Sequence, residues 1–178
     1  MLAIRTYTIW LMGLTSSGKS TIAKHLVEIM RSEDLPILHY DGDEIRDFFG
    51  KDFGFSEDNR GRVVETLAHL AIKANNAGIN VVVSALTAHQ TAREHIKETI
   101  PNLLVGHVDC PIDICVARDP KGLYRKALDG EIKDVAGIDL EFELPESPDL
   151  IIRNHGKNCS IKDFAREIVI VAEAARKQ

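Results

Sequence analysis

The sequence predicts an α/β three-layer sandwich, a parallel sheet with helices on both faces. Apolar, β-branched runs recur as candidate strands at residues 6–12, 36–40, 79–85, 103–109 and 149–152. Helical patterns alternate with them, and strands alternating with helices give a parallel sheet covered on both sides. A Gly-rich turn, GLTSSGKST at residues 13–21, follows the first run and leads into the first helical pattern. In such sheets ligands bind beyond the carboxyl ends of the strands. The motifs considered below fall there.

The turn from Gly13 to Thr21 fits GxxxxGK[ST], a P-loop whose backbone N–H groups curl around phosphate oxygens. Gly13 and Gly18 allow backbone angles and close approach that a Cβ would block. Ser16 and Ser17 complete the loop, Lys19 reaches the β- and γ-phosphates, and the Ser20 hydroxyl can ligand Mg²⁺. From Thr21 the chain continues as a helix with Ile22, Leu26 and Ile29 on one face, its N-terminus adding partial positive charge at the phosphates. The loop is therefore read as a nucleotide site in a fold like that of P-loop nucleoside triphosphate hydrolases.

The second strand runs into HYDGDEIRD, where Asp41 and Asp43 flank Gly42, expected to let the backbone turn before a helix at 44–49. Phosphoryl transfer needs a carboxylate near Mg²⁺ and one near the attacking hydroxyl, and either aspartate could serve either need. Arg46 can pair with an anionic substrate in a fork geometry. In GFSEDNRGR, Phe55 sits in a polar loop and can stack on a substrate base or pack under a neighbouring segment. A helix over 56–77 starts at a Ser56 cap, carries Val63, Leu67, Leu70 and Ala74 on one stripe, and stops at Gly78. Arg60 and Arg62 lie in its opening turns, where positive charge opposes the helix dipole, so an anion explains them better than helix stability does. Residues 119–148 mix Gly, Pro and charge with weak periodicity; a connection this long is read as a lid over the nucleotide. A last helix over 160–176 opens with SIKD and repeats apolar groups at Ile161, Phe164, Ile168 and Val171.

The 178 residues read as a single domain, 1–178, of which 44% are hydrophobic and 28% charged, as in soluble globular proteins. A net charge of −5 argues against binding nucleic-acid polymers or anionic membranes. No apolar run reaches the roughly 18 residues of a membrane span, and the first residues lack a signal-peptide pattern. Cys110, Cys115 and Cys159 form no CxxC pair, and the seven histidines no HxxxH or HExxH arrangement. Reduced thiols in a cytoplasmic protein are the expectation, with no zinc site.

GLTSSGKST, DGDEIR, GFSEDNR and VDCPIDICVARDPKGLYRKALDGEIKDVAGID together resemble the adenylylsulfate kinase family, in order and over nearly the whole chain. RDPKGLY and the GEIK–GID pieces are far more specific than a P-loop. The resemblance implies a P-loop kinase that uses MgATP to phosphorylate the ribose 3′-hydroxyl of adenosine 5′-phosphosulfate, and it favours a homodimer. It makes Lys19, Asp43 and Asp41 the catalytic set, with Ser20 and Asp43 toward Mg²⁺. Arg46 and Arg60 would hold the 5′-conjugate and Phe55 its base, with Thr87 also at the acceptor. Arg118 and Lys121 would meet nucleotide phosphates or base from the lid.

The sequence departs from the family on the acceptor side. Val63 stands where an Asn is usual, Glu65 and Thr66 replace a basic pair, and Ser-Pro-Tyr-Arg reads Thr87-Ala88-His89-Gln90, with Arg93 downstream. Val135 replaces a lid Phe, so a sandwiched adenine would lose one aromatic face. A related conjugate, as in a cytidine 5′-diphosphoramidate kinase of capsule modification, is the alternative acceptor. A non-catalytic nucleotide-binding module is the alternative outside enzymes, but Lys19 and Asp43 are both kept. A regulatory GTPase would need an NKxD motif, which is absent.

Overall fold

The computed structural model describes residues 6–50, 53–155 and 160–176. Cys159 lies outside them. Five strands form one parallel sheet: β1 (Thr8–Met12), β2 (Ile37–Asp41), β3 (Asn80–Ser84), β4 (Leu103–Asp109) and β5 (Leu150–Arg153). They lie in the order β2-β3-β1-β4-β5, all neighbours parallel. β1 is central because its five residues are buried on both faces, and the period of two divides them. Ile9 and Leu11 face one core with Val82, Val108 and Ile152, while Trp10 and Met12 face the other with Val81, Val83 and Val105.

The first core is covered by α1 (Lys19–Ser32) and α7 (Ile161–Arg176). α1 presents Ile22, Leu26 and Met30, and α7 presents Ala165, Ile168 and Ala172, at the spacing of one helical face. Ser160 Oγ accepts from Asp163 N at 3.3 Å, the cap expected at this start. The second core is covered by α3 (Glu57–Asn76) and α4 (Gln90–Thr99). Ser56 caps α3 through Asn59 N at 3.4 Å, and Gly78, with φ +82°, follows its end as expected. Among the described residues no helix is long and apolar enough to cross a membrane.

The strands and long helices fall within one or two residues of their expected bounds, but three helices were not anticipated. α4 buries Arg93 and Ile96 on its inner face, too little apolar stripe to register as a helix. α5 (Ile112–Arg118) has seven residues, too few for a period to show. α6 (Leu123–Leu128) lies inside the expected lid. That segment is less open than its composition suggests. It builds a third apolar cluster of Cys110, Cys115, Tyr124 and Val135, packed by Leu14 of the P-loop. α2 (Gly42–Phe49) also starts earlier than expected, capped by the Asp41 carboxylate.

Tyr124 anchors the 119–148 segment to the P-loop: its buried hydroxyl donates to Thr15 O at 2.9 Å. Burial pushes its phenol pKa upward, so the hydroxyl stays a donor at all working pH. Tyr124→Phe should therefore cost about 1 kcal/mol by leaving that carbonyl unpaired, lowering the melting temperature by roughly 2–4 °C. Thermal unfolding of the two proteins checks this; an unchanged midpoint would remove the anchor.

Candidate functional site

β1 ends at Met12, and the loop between it and α1 turns on two glycines. Gly13 has φ +146°, and a Cβ there would stand 2.5 Å from Val108 O, so the loop packs backbone to backbone against β4. Gly18 has φ +101° and precedes α1 directly. The first intrahelical bond of α1 runs from Ile22 N to Gly18 O at 3.0 Å, which leaves the amides of Lys19, Ser20 and Thr21 ahead of it. Lys19 is only 8% exposed, and its ammonium donates to Gly13 O at 2.8 Å and Leu14 O at 2.6 Å. Burial lowers its pKa to about 8, against the pull of Asp43 and Asp41.

The two aspartates do different things. Asp41 is nearly buried and accepts from Ser20 Oγ at 2.5 Å, Ser84 Oγ at 2.7 Å and Asp43 N at 2.9 Å. Burial raises its pKa, but these three donors outweigh it and hold the carboxyl below its ordinary value. Behind it, His39 Nε2 lies 2.8 Å from Ser84 Oγ. Since Ser84 gives its hydrogen to Asp41, His39 Nε2 must carry a hydrogen and donate to Ser84. Asp43 instead projects from the first turn of α2 and forms an ion pair with Lys121 of the lid.

The hydroxyl of Ser20 thus meets Asp41 rather than Asp43, with which it was expected to share a metal. Gly42 does not bend the chain through a left-handed angle either. It lets α2 approach β3, since a Cβ there would stand 3.3 Å from Ala85 Cβ. His39 and Ser84 were not foreseen. Their signal was spatial: β2 and β3 pair Asp41 with Ser84 in register.

Arg46, Phe55 and Arg60 come together. The Arg46 guanidinium lies 4.7 Å from the Phe55 ring centroid and that of Arg60 5.9 Å from it. Arg46 also donates to Gly54 O, and Arg60 donates to Phe55 O at 2.9 Å and to Asp134 O across the lid. Burial lowers the Arg60 pKa to about 10, and repulsion from Arg46 adds to it. Burial lowers that of Arg46 as well, Asp43 opposing. Two guanidiniums repelling each other around one ring is an arrangement that an anion relieves. Arg62 lines the same cavity beside them, its guanidinium 5.3 Å from the rings of Phe49 and Phe53, the second of which Arg46 also faces at 5.9 Å.

Thr87 lines the cavity and is tied into the fold as well. It is buried at φ +47°, accepts from Trp10 Nε1 at 2.9 Å, and its carbonyl takes Arg93 Nε at 3.0 Å. Arg93, 2% exposed, also donates to Ala88 O and Glu143 O, tying the loop after β3 to the end of the lid segment. Arg118 lies over the P-loop, its Nη1 3.4 Å from Ser16 O.

One cavity of about 1220 Å³ joins these groups, from Lys19 and Arg118 past Asp41 and Asp43 to Arg46, Phe55 and Arg60. Val63 and Val135 form part of its wall, and Phe55 is the one Phe, Tyr or Trp among its described lining residues. The family model of adenylylsulphate kinase matches residues 5–153. The chain belongs to the adenylylsulphate kinase family. An adenylyl-sulfate kinase of Enterobacter sp. (strain 638) is 36% identical over 82% of this chain and 74% of its own. That of Synechococcus sp. (strain JA-3-3Ab) is 33% identical over 88% and 89%. An APS kinase of Mycobacterium tuberculosis, solved with AMPPNP and APS, superposes with a TM-score of 0.88 at 32% identity, covering 95% and 98%. The sheet and helices described here are thus those of adenylylsulphate kinases.

Proposed function

We propose that this protein transfers the γ-phosphoryl group of ATP to the ribose 3′-hydroxyl of a nucleoside 5′-conjugate, adenosine 5′-phosphosulfate. The observation that carries the reading is one cavity lined by both the P-loop and the Arg46–Phe55–Arg60 cluster. Donor and acceptor anions then share one space, which Asp43 lines too.

The P-loop amides and Lys19 hold the donor phosphates, with Arg118 covering them. Arg46 and Arg60 grip the acceptor's 5′-anion, and Phe55 stacks on its base. Asp43 accepts the proton of the attacking hydroxyl once Lys121 turns away to the phosphates. Magnesium fits the donor set: Ser20 Oγ and the ionised Asp41 carboxylate offer two hard oxygens side by side, the kind Mg²⁺ takes together with substrate phosphates. When bound, it neutralises charge on the transferring group.

Val63 and Val135 in the wall support a second acceptor. A base here has one aromatic face, so a pyrimidine loses less against a purine than in a two-sided slot. Offering adenylylsulfate and cytidine diphosphoramidate separately with MgATP, and following ADP release, separates the two. Adenylylsulfate is expected to be the better acceptor, phosphorylated at the 3′ position. ADP release with the cytidine compound alone would replace it, and use of a free sugar instead would remove Arg46 and Arg60 from the anion site.

A further inference from the structure

Asn154 belongs to none of the motifs, yet it occupies the donor end of the cavity. It follows β5, is 4% exposed, and is fixed through its backbone N–H to Asp109 O at 2.8 Å. Its side chain bridges two groups from distant parts of the chain. Nδ2 donates to Ser17 O at 2.7 Å, and Oδ1 accepts from Arg118 Nη2 at 3.4 Å. The fit is close: a Cβ on Gly18 would stand 2.6 Å from Nδ2. Gly18 thus serves two needs, its positive φ and the room Asn154 requires.

In a trans peptide the carbonyl and the following N–H point in opposite directions. Holding Ser17 O toward Asn154 therefore turns the Gly18 N–H away from it, one of the loop amides that would face phosphate. We infer that Asn154 is a positioning residue of the donor site, orienting the Ser17–Gly18 peptide and Arg118 together toward the nucleotide. The inference rests on residues 13–21 being the seat of the donor phosphates.

The Asn/Asp difference makes it testable. An ionised aspartate keeps the shape of Asn154 but cannot donate to Ser17 O; a protonated one can. ADP affinity measured by calorimetry is the readout, each variant compared with wild type at the same pH. At pH 8, Asn154→Asp and Asn154→Ala are expected to weaken ADP binding about tenfold. In turnover, Asn154→Ala should raise KM for MgATP and leave KM for the acceptor within twofold, the pattern of lost uniform binding at one site. Wild-type affinity in both variants would overturn the inference, and so would a rise in KM for the acceptor as large as that for MgATP in Asn154→Ala. If Asn154→Asp does not fold at pH 8, Asn154→Ala decides by the same two readouts. Failure of the wild-type protein to bind ADP would bring down the donor-site reading itself, and this inference with it.

Discussion

Lys19→Met is expected to lower turnover by about 10³-fold or more while changing stability little. The loss follows from removing a fixed cation from the phosphates as charge moves onto the transferring group in a dry cavity, where one such donor is worth roughly 10²–10³ and a full charge more. Two opposing effects on stability arise from the same burial. The fall of the Lys19 pKa from 10.5 to about 8 corresponds to about 3 kcal/mol of cost for holding the ammonium charged near neutrality. Against that, its bonds at 2.8 and 2.6 Å satisfy the carbonyls of Gly13 and Leu14, each worth about 1–3 kcal/mol if left unpaired. Methionine keeps the apolar stem, removes the charging cost and leaves both carbonyls unpaired, so the two effects largely offset, between a gain of about 1 and a loss of about 3 kcal/mol.

The pH dependence separates these contributions. The folded pKa of Lys19 lies below the unfolded one, so below about pH 8 both states are charged and the cost is fully present. Between about 8 and 10.5 the unfolded chain holds more protons, and stability of the wild type rises with pH relative to the variant. Denaturant unfolding of both proteins across that range measures the gain. Retention of a tenth of the wild-type turnover would take Lys19 off the phosphates, and parallel stability profiles would mean its ammonium is not the buried group.

What the sequence revealed and what it withheld divide along one physical line. The P-loop, the strands and the long helices were legible because each is local: a glycine pattern, an apolar run, a stripe with a cap. α4 and α5 were not, because one buries an arginine where a hydrophobe would have marked the face and the other is too short to show a period. Asp41 and Asp43 were both legible as candidates, but not their division of labour. That depends on β2 pairing with β3, which brings Ser84 to Asp41, and on a lid lysine 78 residues away reaching Asp43. Thr87 is similar: the resemblance implied an acceptor contact for it, and what stayed hidden was that Trp10, 77 residues earlier in the chain, donates to its hydroxyl oxygen at the cavity wall.

That division of labour leads to the second large effect. Asp41 already accepts from Ser20, Ser84 and the Asp43 amide, so its geometry is set before any substrate arrives. Asp43 is half exposed, at the start of α2, with the mobile-ended Lys121 side chain as its partner. A general base must be able to meet a hydroxyl, and of the two aspartates Asp43 is the more exposed. Asp43→Asn should lower kcat by about 10²-fold or more, within the range of lost general-base catalysis, with MgATP affinity changed less than tenfold. Part of any loss could come from releasing the lid, because the variant also breaks the pair with Lys121. Lys121→Met isolates that part: an exposed pair is worth about 0.2–1 kcal/mol, too little for a hundredfold fall. It is expected to raise KM for the nucleotides more than it lowers kcat. Steady-state kinetics on the two variants and the double variant decides the matter. A near-normal kcat in Asp43→Asn would transfer the proton to another acceptor, and an equal fall in Lys121→Met would make the ion pair, not the base, the source of the effect.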